Sequence, residues 1–339
     1  MRISSLACAQ QLNSYYHFIN EAELAICNES YEKAYEYYER AFQYYRPFTK
    51  DLKNAFIVNF HFLGNHEQSL DYAHQLVQRG CEDLPSFILQ DSTTFPDAYQ
   101  DIKIMTDTTK RIYDTELSEI LEKIMIETQT IRFTCKDSPS VCEKKMRNKD
   151  KENTNKILQL YKTYPEINDF TVGYHFYTYT QYPFLYLAQQ RDNAVRYLLE
   201  KEVMKGNYEA SRFMDYADIY QYENPSGMVI EDSLYGVNFL HQTIIDNTLF
   251  VVVPKNISKI NENRAKLNIA ETWENYITKI TYQFQTKKFY FYPLNYQNFG
   301  SDKLDEEIAK RLRAEIDEEN KNGEEKRRYY NRMVSCKFD

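Results

Sequence analysis

Glu116-Leu-Ser-Glu-Ile-Leu-Glu-Lys-Ile-Met-Ile-Glu-Thr-Gln-Thr-Ile-Arg132 is the stretch from which the fold is read. Leu117, Ile120, Leu121, Ile124, Thr128 and Ile131 recur at spacings of three and four, the period of a helix with one apolar face. Gln129 and Arg132 lie three apart on the flank of that stripe. A second helical pattern follows in Asp150, Asn153, Ile157, Leu160 and Tyr164, and it opens with two polar residues on its packing side. Polar groups buried without partners cost roughly 1–3 kcal/mol. Gln129, Arg132, Asp150 and Asn153 are therefore expected to meet, either as a site or as a structural cluster.

Working outward, 339 residues allow two or three domains with ample core. The chain holds 31 Tyr and 20 Phe against one Trp and eight Gly. Tyrosine packs its ring and keeps its hydroxyl wet, which suits helix seams and binding surfaces; a codon bias would enrich it as well. A net charge of −8 disfavours a nucleic-acid partner. Few glycines argue against phosphate loops. No apolar run reaches the ~18–20 residues of a membrane span.

Six cysteines, at 8, 27, 81, 135, 142 and 336, lack zinc-knuckle spacing and are read as scattered free thiols. The six histidines form no His-Glu-x-x-His motif, and neither a Gly-x-Ser-x-Gly elbow nor a P-loop occurs. No cofactor or metal is expected. As written, the start is too short for a signal peptide and implies a cytoplasmic protein. Ala7-Cys8-Ala9 ahead of Gln10 also fits the stub of a cleaved leader, implying a periplasmic or secreted one.

Ser30-Tyr-Glu-Lys-Ala-Tyr-Glu-Tyr-Tyr-Glu-Arg-Ala-Phe42 places Tyr31, Ala34, Tyr38 and Ala41 on one helix face. His66, Ser69, Ala73 and Leu76 repeat the pattern at an offset of 66 − 31 = 35. These stretches resemble tetratricopeptide repeats, whose period is about 34 residues. The resemblance covers residues 14–80, with Phe18 and Ala22 at the usual Trp and Gly positions.

From Thr115 to Tyr276 the chain resembles an uncharacterised bacterial family known as a domain of unknown function. Gln129 and Arg132, Asp150 and Asn153, Val172-Gly173, Tyr235-Gly236, and Asn261 to Arg264 carry the resemblance. The chain departs from that pattern at Thr128, near Leu187 to Gln190 where a His is absent, at Ile219 and at Val237. Gln129, Arg132, Asp150, Asn153, Tyr235 and Arg264 are the candidate ligand-binding residues, and the departures imply that any site they form has lost part of its set in this chain.

The expected architecture is mostly α, with tetratricopeptide-like helical hairpins and a helical domain carrying a small β-hairpin at 234–254. The expected division is 1–104, repeats with a connector; 105–295, the helical domain; and 296–339, a charged C-terminal helix. Within it, Glu262 to Tyr282 reads as one helix, and Lys279 to Pro293 reads as a strand pair or as helix. The leading functional reading is a non-catalytic interaction module with a protein partner. The alternative is an enzyme or small-ligand receptor using the polar cluster.

Overall fold

The computed structural model describes residues 2–87, 96–189, 193–219, 234–237, 242–245, 248–251, 254, 256–286, 288–292, 297–299 and 333–334. These residues are mostly helical.

The first pair is α1 (Arg2–Cys27) against α2 (Tyr31–Tyr44). Ala34, Tyr38 and Ala41 of α2 are fully buried, the small residues letting the backbones approach while the ring fills the groove. α3 (Thr49–Ile57) runs into a π-helical turn, Val58–Leu63, which Gly64 ends with a left-handed φ of 62°. α4 (His66–Gln78) returns along α3, burying Ser69, Ala73 and Leu76.

The connector after Gly80 is more helical than its Pro and Thr content suggests. It contains α5 (Leu84–Phe87) and α6 (Pro96–Thr108), with Ile102 of α6 buried. Phe87, Ile88, Leu89, Phe95 and Tyr99 are expected from the sequence to cap the repeats; Phe87 and Tyr99 lie in α5 and α6, and the other three lie outside the described residues.

α7 (Thr115–Thr134) starts at Asp114, whose carboxylate accepts from the Leu117 amide at 2.9 Å. It packs on α8 (Pro139–Thr163) and on α9 (Phe176–Gln189). Cys135 and Cys142 form a disulfide across the α7–α8 turn, correcting the free-thiol expectation. Helix reversal brings their Cα atoms to 5.8 Å, a separation that the linear spacing does not reveal.

α10 (Asn193–Met204) and α11 (Ala210–Ile219) complete this layer. β1 (Gln242–Ile245) and β2 (Thr248–Val251) pair antiparallel, and the turn expected between them lies outside the described residues. The expected single helix from Glu262 to Tyr282 is two, α12 (Ile257–Lys266) and α13 (Trp273–Thr286). Asn268, at φ 60°, breaks them apart in the left-handed conformation. Helix α13 also decides the ambiguous stretch: Ile277, Ile280 and Phe284 are buried at helical spacing, so residues 279–286 are not strand. β3 (Gln297–Phe299) pairs parallel with β1, and β4 (Met333–Val334) pairs with β2. The rest of the expected C-terminal charged helix lies outside the described residues.

A buried charge network ties the first helices to the last. Lys279 of α13 bridges Glu23 of α1 at 2.7 Å and Glu271 at 2.8 Å. Lys50 of α3 holds Glu23 at 2.7 Å and Asp51 at 2.8 Å. Arg264 of α12 holds Glu271 at 2.7 Å. Removing one member of a buried ion pair typically costs 3–5 kcal/mol, because its partner charge stays behind. Lys279→Met leaves Glu271 with Arg264 and Glu23 with Lys50, but strips the shared cation. The variant is expected to lose about 3–5 kcal/mol in denaturant unfolding. A loss below about 1 kcal/mol, the range of surface pairs, would remove the network from the core of the fold.

Candidate functional site

The sequence-derived candidates fall into two separate clusters. At the α7–α8 seam, Arg132 Nη2 donates to Asp150 Oδ2 at 2.8 Å and Nη1 donates to the Thr128 carbonyl at 2.7 Å. Its guanidinium lies 3.3 Å from the centroid of the Tyr186 ring. Asn153 Nδ2 donates to Thr128 Oγ1 at 2.8 Å, and that hydroxyl donates to the Ile124 carbonyl. The Gln129 side-chain nitrogen is buried and has no hydrogen-bond partner among the described residues. Arg132 is 15% exposed and Asp150 2%, so the pair is closed against the helices.

Tyr235 and Arg264 lie in the second cluster. The Asp218 carboxylate accepts from the amides of Leu234, Tyr235 and Val237 at 2.7, 2.9 and 2.9 Å. Arg264 Nε donates to the Tyr235 carbonyl at 2.9 Å, and the Trp273 indole donates to the Gly236 carbonyl at 3.2 Å. A Cβ on Gly236 would lie 2.5 Å from Trp273, and its φ is 71°, so only glycine fits this turn. Arg264 is wholly buried. Both clusters spend most of their polar groups on internal bonds, with Gln129 Nε2, Asn153 Oδ1 and Arg264 Nη2 left over among the described residues.

An open, charged cavity lies elsewhere. Its volume is about 400 Å³, and α3, α9, α11 and the segment after α13 form its walls. Lys50, Lys53, Arg212 and Lys288 line it together with one acid, Glu209. Tyr174, Tyr177, Phe289, Tyr290 and Ile57 supply apolar surface.

Local structure explains each position. Lys50 and Lys53 are three apart on α3, so they share a face. Gly173 (φ 92°) lets the chain lie against the end of α4, where a Cβ would come within 2.7 Å of the Arg79 carbonyl. The next amide, Tyr174, then donates to that carbonyl at 2.6 Å, which fixes the Tyr174 ring at the rim. Asn54 clamps the far wall: its side chain donates to the Tyr290 carbonyl at 3.0 Å and accepts from the Tyr290 amide at 3.1 Å.

The lining cations Lys53 and Arg212 have neutral hydroxyl and aromatic neighbours. Lys53 Nζ donates to the Tyr174 hydroxyl at 3.1 Å, and burial pulls its pKa below the usual lysine range against the opposing pull of Cys81 and Asp83. Arg212 Nη2 donates to the Tyr290 hydroxyl at 3.2 Å and lies 4.9 Å from the Tyr177 ring centroid. Glu209 accepts from the Ser211 hydroxyl.

These residues escaped the sequence reading because four separate segments supply them. The one available signal was α3 itself, which is buried on most sides yet carries Lys50, Asp51, Lys53 and Asn54.

Behind the cavity, Asp51 accepts from the Tyr15 hydroxyl at 2.5 Å. Burial pushes its carboxyl up to about 6, with Lys50 pulling the other way. An acid whose folded pKa is raised contributes stability below its unfolded pKa and loses it as pH rises through the folded value. Wild type is thus expected to lose stability relative to Asp51→Asn between about pH 4 and pH 6. Denaturant midpoints that stay parallel across that range would contradict this placement of Asp51.

For the seam, Arg132→Met is expected to cost about 1–3 kcal/mol by stranding Asp150, and to leave ligand binding at the cavity unchanged. An equally stable variant, by thermal denaturation, would mean that the pair carries no structural weight. Compared with known proteins, this chain matches no family model, no curated protein and no solved structure.

Proposed function

We propose that this chain is a binding protein that takes a small anion with a planar or apolar portion in the α3–α9–α11 cavity. The observation that carries the reading is the cavity's charge. Lys53, Arg212 and Lys288 line it beside Lys50, which is itself paired with Glu23 and Asp51, and Glu209 is the one acid in the lining, in a chain whose net charge is −8. Its volume falls within the roughly 300–1,000 Å³ usual for ligand pockets, and its aromatic walls suit a flat group. The reading moves the ligand role away from Arg132 and Arg264, which are closed off against Asp150 and Glu271.

A second reading keeps the helical pairs α1–α4 as tetratricopeptide-like and residues 105–295 as the uncharacterised bacterial domain, working as an interaction module for a protein partner. Its support is the outer face of α7, where Phe133 is 84% exposed and Ile126 50%. Among the described residues, no helix is long and apolar enough to cross a membrane. The Cys135–Cys142 bridge favours an oxidising compartment for this protein.

Calorimetric titration with phenyl phosphate, benzoate, benzyl alcohol and benzylamine tests the ligand reading. The two anions are expected to bind, the alcohol weakly and the amine not at all. A charge-assisted hydrogen bond contributes about 1.5–3 kcal/mol. Arg212→Met should therefore weaken phenyl phosphate by about tenfold or more. Equal binding of all four probes, unaffected by that substitution, would overturn the reading.

A further inference from the structure

We propose that Lys53 is the amine of a carbonyl-capture site, condensing reversibly with the aldehyde or ketone group of a small carboxylate or phosphate ligand. The inference rests on the anion-binding reading of the same cavity and adds the chemistry of what is held there.

Three groups stand in a chain along the cavity edge. Lys53 Nζ donates to Tyr174 Oη at 3.1 Å, and Tyr174 Oη donates to Asp83 Oδ2 at 3.1 Å. Amine, phenol and carboxylate in hydrogen-bonded sequence are the parts that imine formation uses. The amine lone pair adds to the carbonyl carbon, and the carbonyl oxygen takes up a proton to give a carbinolamine. Loss of that oxygen as water forms the carbon–nitrogen double bond. The proton leaving nitrogen and the proton reaching oxygen travel through Tyr174, with Asp83 at the end of the relay. The balance is one amine plus one carbonyl giving one imine plus one water, and no oxidant is required.

The surroundings suit each role. Burial lowers the proton affinity of Lys53, which raises its neutral, nucleophilic fraction near pH 7. Burial, with Cys81 and Asp83 adding to it, holds Tyr174 well above the usual tyrosine range, so the phenol stays protonated and can donate. Arg212 and Lys288 line the same cavity, in position to meet the ligand's anionic end. Cys81 is the other nucleophile nearby, and burial raises its thiol far above neutrality, which keeps it unreactive.

Trapping with glyoxylate and sodium cyanoborohydride, on the full chain at neutral pH, tests the proposal. Peptide mass spectrometry then locates the carboxymethyl group left by reduction. Lys53 is expected to label ahead of exposed lysines such as Lys151, because burial leaves more of its amine unprotonated. Excess phenyl phosphate should protect it, and Lys53→Arg should remove the label. Tyr174→Phe should slow trapping by more than it weakens phenyl phosphate, a split that a purely structural tyrosine would not produce. Label spread over exposed lysines, with phenyl phosphate still bound by wild type, would overturn the imine inference alone. Failure of both trapping and phenyl phosphate binding would overturn the cavity reading with it.

Discussion

The cation of Lys279, shared between Glu23 and Glu271, is the interaction on which the rest of the structure depends. Each carboxylate is nearly inaccessible, and a second cation holds each from another side, Lys50 for Glu23 and Arg264 for Glu271. Burial alone would drive Glu271 toward its neutral form, but Lys279 and Arg264 outweigh it and keep the carboxyl below its usual range. A hydrophobic seam of similar area would tolerate sliding of α13 along α1. A chain of paired charges tolerates far less, since any register shift strands a buried ion. The network therefore sets which turn of α13 meets which turn of α1.

Much of the helical layout was legible because it follows local rules. The Ala34, Tyr38, Ala41 stripe and the Leu117, Leu121, Ile124, Thr128 stripe are buried as their spacing implies. The boundary that failed, between α12 and α13, hangs on a left-handed Asn268, a conformation that asparagine accepts but does not announce. The connector concealed α6 because its apolar content is thin: only Ile102 is fully buried. The disulfide was illegible because the reversal between α7 and α8, not the sequence interval, sets the distance between its cysteines.

Polar residues gather at three places in the fold, and only geometry separates their meanings. Arg132 is held by Asp150, and Arg264 by Glu271 and the Tyr235 carbonyl, both closed against the helices. Such closed sets specify how helices meet. The cavity differs in kind. Lys50 is paired behind the wall with Glu23 and Asp51, whereas Lys53 and Arg212 donate to the neutral hydroxyls of Tyr174 and Tyr290. Cations that meet neutral hydroxyls are costly to desolvate, and a bound anion would offset part of that cost.

Cavity and network are also one physical system. Lys50 lines the cavity while bridging Glu23 and Asp51, and Glu209 lies between the cavity wall and that same cluster. An anion placed beside Lys50 competes with Asp51 for the same charge, and Asp51, already pushed up to about 6, then takes a proton more readily. Linkage makes the relation reciprocal: protonating Asp51 frees Lys50 charge for the ligand by the same factor. α3 carries both residues and is held by α1, α4 and the Tyr290 backbone, so the coupling acts through charge while the helix stays in place.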